Sequence, residues 1–232
     1  MTIPISIWSD IACPWCFVGK ANLDGALQEL TADNADLKFQ IRWRAFELDP
    51  TPREPSTQKY VDRLAAKYQR TTEQAQEMLD NMSQAIRAAG GEADFDTVIA
   101  ANTFDAHRLI QWAGDLDRSG ATEKAQHRLT EGFMRGYLGQ GLNLADNNSM
   151  LKLVAALDLD DEAAAHVLAS DRFADVVRAD EQAAVQHGIR GVPFFVIGNY
   201  GLSGAQPSTA LIEAVRQVQS DQAAAAGPLD TE

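Results

Sequence analysis

The feature that most constrains this chain is a change of texture along it. β-like alternation stands at both ends, and helical periodicity fills the stretch between about Gln58 and about His187. Near the start, "IPISIWS" alternates Ile3, Ile5 and Ile7 with polar or small neighbours, and "LKFQIRWR" alternates Leu37, Phe39, Ile41 and Trp43 with charged or amide side chains. Period-two alternation puts one set of side chains on one face, so both segments read as strands. Leu23, Ala26, Leu27 and Leu30 recur between them at helical spacing. The opening is therefore a βαβ unit with a right-handed crossover. "ELDPTPREPSTQ" then crowds three prolines into a polar stretch and breaks regular structure.

In the middle block, Thr71 and Gln74 form a capping-box pattern. Apolar stripes follow at Ala106, Leu109, Ile110 and Ala113, at Ala125, Leu129, Phe133 and Tyr137, and at Met150, Leu153, Val154 and Leu157, and a last one holds Phe173, Val176, Val177 and Ala184. A connection this long is no ordinary loop, so it is expected to make its own core and to form one wall of a substrate cleft. Beyond it, "VPFFVI" is β-prone and "GNYG" supplies turn residues, which predicts a hairpin. Leu211, Ile212, Val215 and Val218 predict a final helix, and "DQAAAAGPLDTE" reads as a frayed tail. The fold class is α/β, with a β-containing domain in two parts, 1–57 and 188–220, a helical insertion over 58–187, and a tail over 221–232.

The chain has 232 residues, of which 45% are hydrophobic, enough for a sizeable core. Twenty Lys and Arg against 33 Asp and Glu leave a net charge of −13, which repels phosphate backbones and anionic lipid and argues against nucleic acid as a partner. No stretch reaches the ~18 apolar residues of a membrane span, and the start lacks a basic segment followed by an apolar one. A soluble cytoplasmic protein is expected. In a reducing compartment, an isolated cysteine pair is catalytic or metal-binding more often than it is a structural staple.

The two cysteines of the chain lie together in "DIACPWCF", where the first strand gives way to the first helix. A closed zinc site needs four ligands, yet only two cysteines exist, and His107, His127, His166 and His187 are too widely spaced to form an H-x₃₋₅-H pair. No metal is expected. An inert, buried thiol pair is the other alternative. The redox reading accounts for the position: Cys13 caps the helix, Pro14 takes the first helical position where its missing N–H costs nothing, and Cys16 sits one turn on. A thiolate at a helix N-terminus faces unpaired N–H groups, so an exposed Cys13 is the attacking sulfur. Cys16, deeper in the turn, resolves the mixed disulfide. A second signal is "GIRGVPFF", in which Pro193 opens an apolar run and a cis bond is the geometry that suits it.

With these residues in view, the chain resembles the thioredoxin-fold DsbA-like oxidoreductases, and more closely their FrnE-like branch. The stretches that carry the resemblance are "SIWSDIACPWCFVGKANL", "WRAFELDP", "NTFDAHRLIQWA" and "GIRGVPFFVIGNYGLSGAQP", in family order over most of the chain. The resemblance implies a thioredoxin-like fold with a large helical insertion, Cys13 as nucleophile, Cys16 as resolving thiol, and Val192-Pro193 as a cis-proline loop facing them. It also implies that Val192 pairs with substrate through its backbone. The chain has no further cysteine pair, so an internal thiol relay has no components.

Other residues invite roles. Asp10 and Glu47 are candidate proton acceptors for Cys16, with capping or solvated placements as the alternative. His107 and Asn102 lie in a family-like segment, where a structural histidine is the plainer reading. Trp15 and Phe17, beside a reactive thiol, read as a partly exposed apolar rim; Pro14, Trp15, Val192 and Pro193 are the substrate-binding candidates. The function expected is exchange of disulfides with protein or small-molecule thiols, in the reductase or isomerase direction. Pro14-Trp15 between the cysteines lacks a cationic side chain, which predicts a potential between the ~−120 mV of a strong oxidant and the ~−270 mV of thioredoxin. No cofactor is expected, although glutathione is a suitable reductant, and a homodimer is an allowed state. The competing class is the glutathione-dependent one, kappa-type transferases and 2-hydroxychromene-2-carboxylate isomerases, which usually carry serine where Cys13 stands.

Overall fold

The computed structural model describes residues 2–51, 56 and 58–225. Strand β1 (Thr2–Ser9), helix α1 (Pro14–Asp33) and strand β2 (Lys38–Ala45) form the βαβ opening, and the two strands pair in parallel from Thr2↔Lys38 to Ser9↔Ala45. Seven helices follow: α2 (Tyr60–Tyr68), α3 (Thr72–Ala88), α4 (Phe104–Ser119), α5 (Ala125–Gly139), α6 (Asn147–Ala156), α7 (Asp161–Leu168) and α8 (Ala174–Gln186). The chain then returns to the sheet with β3 (Phe194–Ile197) and β4 (Tyr200–Ser203) and ends on α9 (Ser208–Ala225). The sheet order is β2-β1-β3-β4.

β1 and β3 come from opposite ends of the chain yet are neighbours, antiparallel, with Ile5 opposite Ile197 and Ile7 opposite Phe195. The pairing of β1 with β3 therefore spans the whole helical block, whereas β1 and β2 pair within the first 45 residues. The hairpin expected from "GNYG" joins β3 to β4 through Gly198, whose φ of 57° is the left-handed conformation such a turn demands.

Alternation in β1 sorts its side chains. Ile3, Ile5 and Ile7 are fully buried in the main apolar cluster, while Trp8, of opposite parity, joins Ala184 and Ile189 in a small cluster under α8. Trp8 donates its indole N–H to the Asp180 carbonyl at 2.9 Å. The buried Asp180 carboxylate accepts from Arg44 at 2.6 Å and from the Ala45 N–H at 3.2 Å, which fastens α8 to β2.

The buried residues of the helical block are continuous with those of the sheet. Leu109, Phe133, Met150 and Val167 belong to the same continuous cluster as Ile5, Phe17, Phe195 and Leu211. The reason lies in the helix faces: α4 and α5 turn part of their apolar surface onto β2, and α3 and α5 turn part of theirs onto α1. Among the caps, the box at Thr71 is formed, with the Thr71 hydroxyl accepting from the Gln74 N–H and the Gln74 side chain accepting from the Thr71 N–H.

Two expected breaks differ in detail. Within the proline-rich stretch, Ser56 bridges Ala100 in antiparallel fashion, and residues 52–55 and 57 lie outside the described residues. Helix α9 continues through Ala225, so the expected tail is helical over 221–225, and 226–232 lie outside the described residues. No described helix is long and apolar enough to cross a membrane.

Candidate active site

Cys13 is the N-cap of α1, in an extended conformation (φ −95°, ψ 110°), and Pro14 follows at the first helical position. The Cys13 N–H donates to the Asp10 carbonyl at 3.2 Å, and the Cys16 N–H donates to the Cys13 carbonyl at 3.0 Å, so the turn that sets both sulfurs is held by backbone. Both cysteines are free thiols. The Val192–Pro193 bond is cis. Its loop lies against the pair, where the Cys13 thiol donates to the Val192 carbonyl at 3.5 Å across 179 residues of sequence.

The thiols differ from the expectation in one respect. Cys13 is 4% exposed rather than open to solvent, packed in the main apolar cluster with its sulfur against the Val192 carbonyl. Cys16 is 1% exposed. Burial pushes the Cys16 thiol well above its ordinary value, and the neighbouring Cys13 adds to the rise. Cys16 is thereby held protonated. The close packing of the cis-proline loop depends on Gly19, a residue the sequence reading passed over: a Cβ there would stand 2.8 Å from Pro193 Cγ and 3.1 Å from Phe195 Cζ.

Trp15 and Phe17 part company. Trp15 is 42% exposed beside the cysteines, but Phe17 is buried in the core with the Arg135 guanidinium 5.1 Å from its ring centre. Helical spacing gives no warning of this, because Trp15 stands four, eight and eleven residues before Gly19, Leu23 and Ala26, on a face that α1 buries. Leu48, not anticipated, is an exposed apolar side chain whose N–H is bound by Asp10.

Asp10 is buried, and its carboxylate accepts from the Leu48 N–H at 2.7 Å and the Ala12 N–H at 3.2 Å. It ties the cysteine turn to the end of β2. Its Oδ1 also lies 3.6 Å from Nε2 of the buried His107. Glu47 serves a separate network, accepting from Asn102 and from Arg178, each at 2.7 Å. That network joins the end of β2 to the segment before α4 and to α8.

One cluster has the residue types of a metal site. Asp24, His127 and Glu131 bring their ligand atoms within 4.8 Å of one another. The Lys20 ammonium already occupies it, 2.7 Å from Asp24 and hydrogen-bonded to Glu131. Nδ1 of His127 accepts from the Trp43 indole N–H at 3.3 Å, so the proton of the neutral ring sits on Nε2, which points at Asp24 from 3.0 Å. No lone pair is left there for a cation. Burial pushes the Asp24 carboxyl up, but the bonds from His127 and Lys20 outweigh it and leave it below the usual carboxylate range. The cluster is an ion-pair network that joins α1 to α5.

A family model described as the DSBA-like thioredoxin domain matches residues 4–216. A crystal structure of the probable DsbA oxidoreductase SCO1869 from Streptomyces coelicolor is 35% identical, with a TM-score of 0.84 over 99% of this chain and 94% of that one. YwbO of Bacillus subtilis (strain 168) is 25% identical over 221 residues, 94% of this chain and 98% of YwbO. At 14% identity, the cytosolic disulfide reductase DsbM from Pseudomonas aeruginosa shares the fold, with a TM-score of 0.59 over 94% of this chain and 98% of that one. The match from near one end of the chain to near the other, around a paired-thiol helix terminus and a cis-proline loop, places this chain in the DSBA-like thioredoxin domain family.

Proposed function

We propose that this chain is a thiol–disulfide oxidoreductase that reduces or rearranges disulfides in protein or small-molecule substrates, with Cys13 attacking and Cys16 resolving. The observation that carries the reading is the asymmetry of the pair: Cys13 stands at the helix terminus under Val192, whereas burial holds Cys16 as a thiol one turn deeper. The Cys13 thiolate attacks one sulfur of the substrate disulfide; a Cys13–substrate bond forms, the substrate S–S bond breaks, and one thiol leaves. Cys16 then attacks the Cys13 sulfur and releases the second thiol. Two electrons pass from the pair to the substrate, and the pair is left as a disulfide.

Exposed Trp15 and Leu48 offer apolar contact to a polypeptide, and the Val192 backbone beside the sulfur is placed to pair with an extended segment. Glutathione regenerates the dithiol, two molecules being oxidised per turn, in the cytoplasm or another reducing compartment. The name of DsbM, a cytosolic disulfide reductase of the same fold, agrees with that direction. The glutathione-dependent isomerase class is disfavoured by the thiol at position 13. The test is turnover of a small aromatic disulfide with glutathione as the final reductant, together with equilibration of the pair in graded glutathione buffers. Turnover that vanishes in Cys13→Ala, with a potential between ~−120 and ~−270 mV, supports the reading. Absent turnover, or a pair more reducing than thioredoxin, contradicts it.

A further inference from the structure

The cis-proline loop carries a charge that the exchange of sulfurs does not use. Helix α8 is closed by Gly188, whose φ of 70° is left-handed, and the Ile189 N–H donates to the Ala184 carbonyl at 2.8 Å. Ile189 is buried with Trp8 and Ala184, and the Pro193 carbonyl accepts from the Gly204 N–H at 2.8 Å. The segment between Ile189 and Pro193 is therefore pinned at both ends. Within it stands Arg190, whose side chain is exposed. The Val192 carbonyl meets the Cys13 sulfur at 3.5 Å, and two residues of chain span at most about 7 Å. The base of the Arg190 side chain is thus close to the point where a substrate disulfide is attacked.

Other cations that pack around this end of the sheet are paired. Arg44 meets Asp180 at 2.6 Å, and Arg178 meets Glu47 and Glu181, each at 2.7 Å. Arg190 differs: among the described residues its guanidinium has no hydrogen bond, ion pair or ring contact. The carboxylates nearest the cysteine turn are committed elsewhere, Asp10 to the Leu48 and Ala12 N–H groups and Glu47 to Asn102 and Arg178. A chain with 33 acidic side chains leaves this cation unpaired beside the reacting sulfur. Guanidinium is always charged, and its planar fork of donors matches a carboxylate.

We propose that Arg190 determines specificity by pairing with a carboxylate that flanks the reacting sulfur of the substrate, in a polypeptide or in a small disulfide. This rests on the assignment of Cys13 as the attacking thiol. The net charge of −13 repels such anions at a distance, and a cation at the rim offsets that repulsion where it matters. The rim then has two parts, an apolar one in Trp15 and Leu48 and a cationic one in Arg190. Arg190 takes no part in the bonds made and broken. It raises the yield of encounters and holds the substrate while the sulfurs align.

Stopped-flow reaction of the reduced full chain with two aromatic disulfides tests this: 5,5′-dithiobis(2-nitrobenzoate), which carries carboxylates, and neutral 2,2′-dithiodipyridine. The quantity read is the ratio of the second-order rate constants, anionic over neutral. Taking the ratio cancels any effect of the charge on the Cys13 thiolate, which acts on both disulfides alike. Arg190→Gln is expected to lower the ratio about threefold, the worth of one exposed charge pair, and Arg190→Glu about tenfold, because reversal removes the charge twice. Arg190→Lys keeps the charge and restores most of the ratio. The differences shrink in 1 M salt, where the screening length falls to about 3 Å. Arg190 is exposed and without partners, so its variants keep the fold. A ratio that Gln and Glu leave unmoved overturns the proposal, and so does a fall that salt does not diminish. Two disulfide peptides that differ only in Glu or Gln beside the cysteine identify the source: a Glu preference that Arg190→Gln abolishes assigns polypeptides, and a response confined to the aromatic pair assigns small disulfides. Wild type that reacts with neither aromatic disulfide removes the thiol-exchange reading itself, whereas reaction with both at an unmoved ratio removes only the role of Arg190.

Discussion

The two cysteines are three positions apart in sequence and play unlike parts because one turn of helix separates the cap from the interior. Burial disfavours charge on Cys16, so the folded state holds its proton more tightly than the unfolded chain does. The consequence for stability has a definite sign. Below the ordinary thiol range both states keep the proton and nothing changes; above about pH 9 the unfolded state loses it first, and stability falls as pH rises toward the raised folded value. The reduced protein is expected to lose about 1.4 kcal/mol per pH unit in that window relative to Cys16→Ser. Urea unfolding at pH 8, 9 and 10 checks this, and parallel pH curves for the two proteins refute it. At this scale the sequence was only partly legible. Cys13, Pro14 and the cis-proline loop are local signals, whereas the contact that the Val192 carbonyl makes with the Cys13 sulfur comes from 179 residues away.

Helix α1 carries the pair, and its packing against the cis-proline loop sets how closely the loop approaches the sulfur. Gly19 is the point of contact. On helix propensity alone, Gly19→Ala would stabilise by about 1 kcal/mol, but a methyl 2.8 Å from Pro193 Cγ must displace the loop, and overpacking costs about 1–3 kcal/mol. Packing wins, so the expected outcome is a net loss of about 1–2 kcal/mol by urea midpoint and slower reaction at Cys13. A stabilised, fully active variant contradicts it. Elements such as β1, the Thr71 cap and the Gly198 hairpin could be read from sequence because their determinants lie within a few residues. The fastening of α8 to β2 could not, since Asp180 meets Arg44 across 136 residues and nothing near either residue marks the other.

At the scale of the whole molecule, a sheet built from both ends of the chain and a helical block between them share one apolar cluster. The helices of the block pack on one another and also turn part of their stripes onto β2 and α1, so the buried residues of block and sheet are continuous. Deleting residues 58–187 and joining the ends is therefore expected to leave the sheet unfolded, seen as loss of cooperative unfolding and of near-ultraviolet circular dichroism. A folded deletion variant would show that the shared cluster is dispensable. Cys13 attacks and Cys16 resolves, and intact-mass measurement after exposure to oxidised glutathione distinguishes the two thiols. Cys16→Ser is expected to accumulate one glutathione per chain, held at Cys13, while Cys13→Ser accumulates none because its remaining thiol is buried and protonated. Equal adducts on both variants, or an adduct on Cys13→Ser alone, would contradict the account.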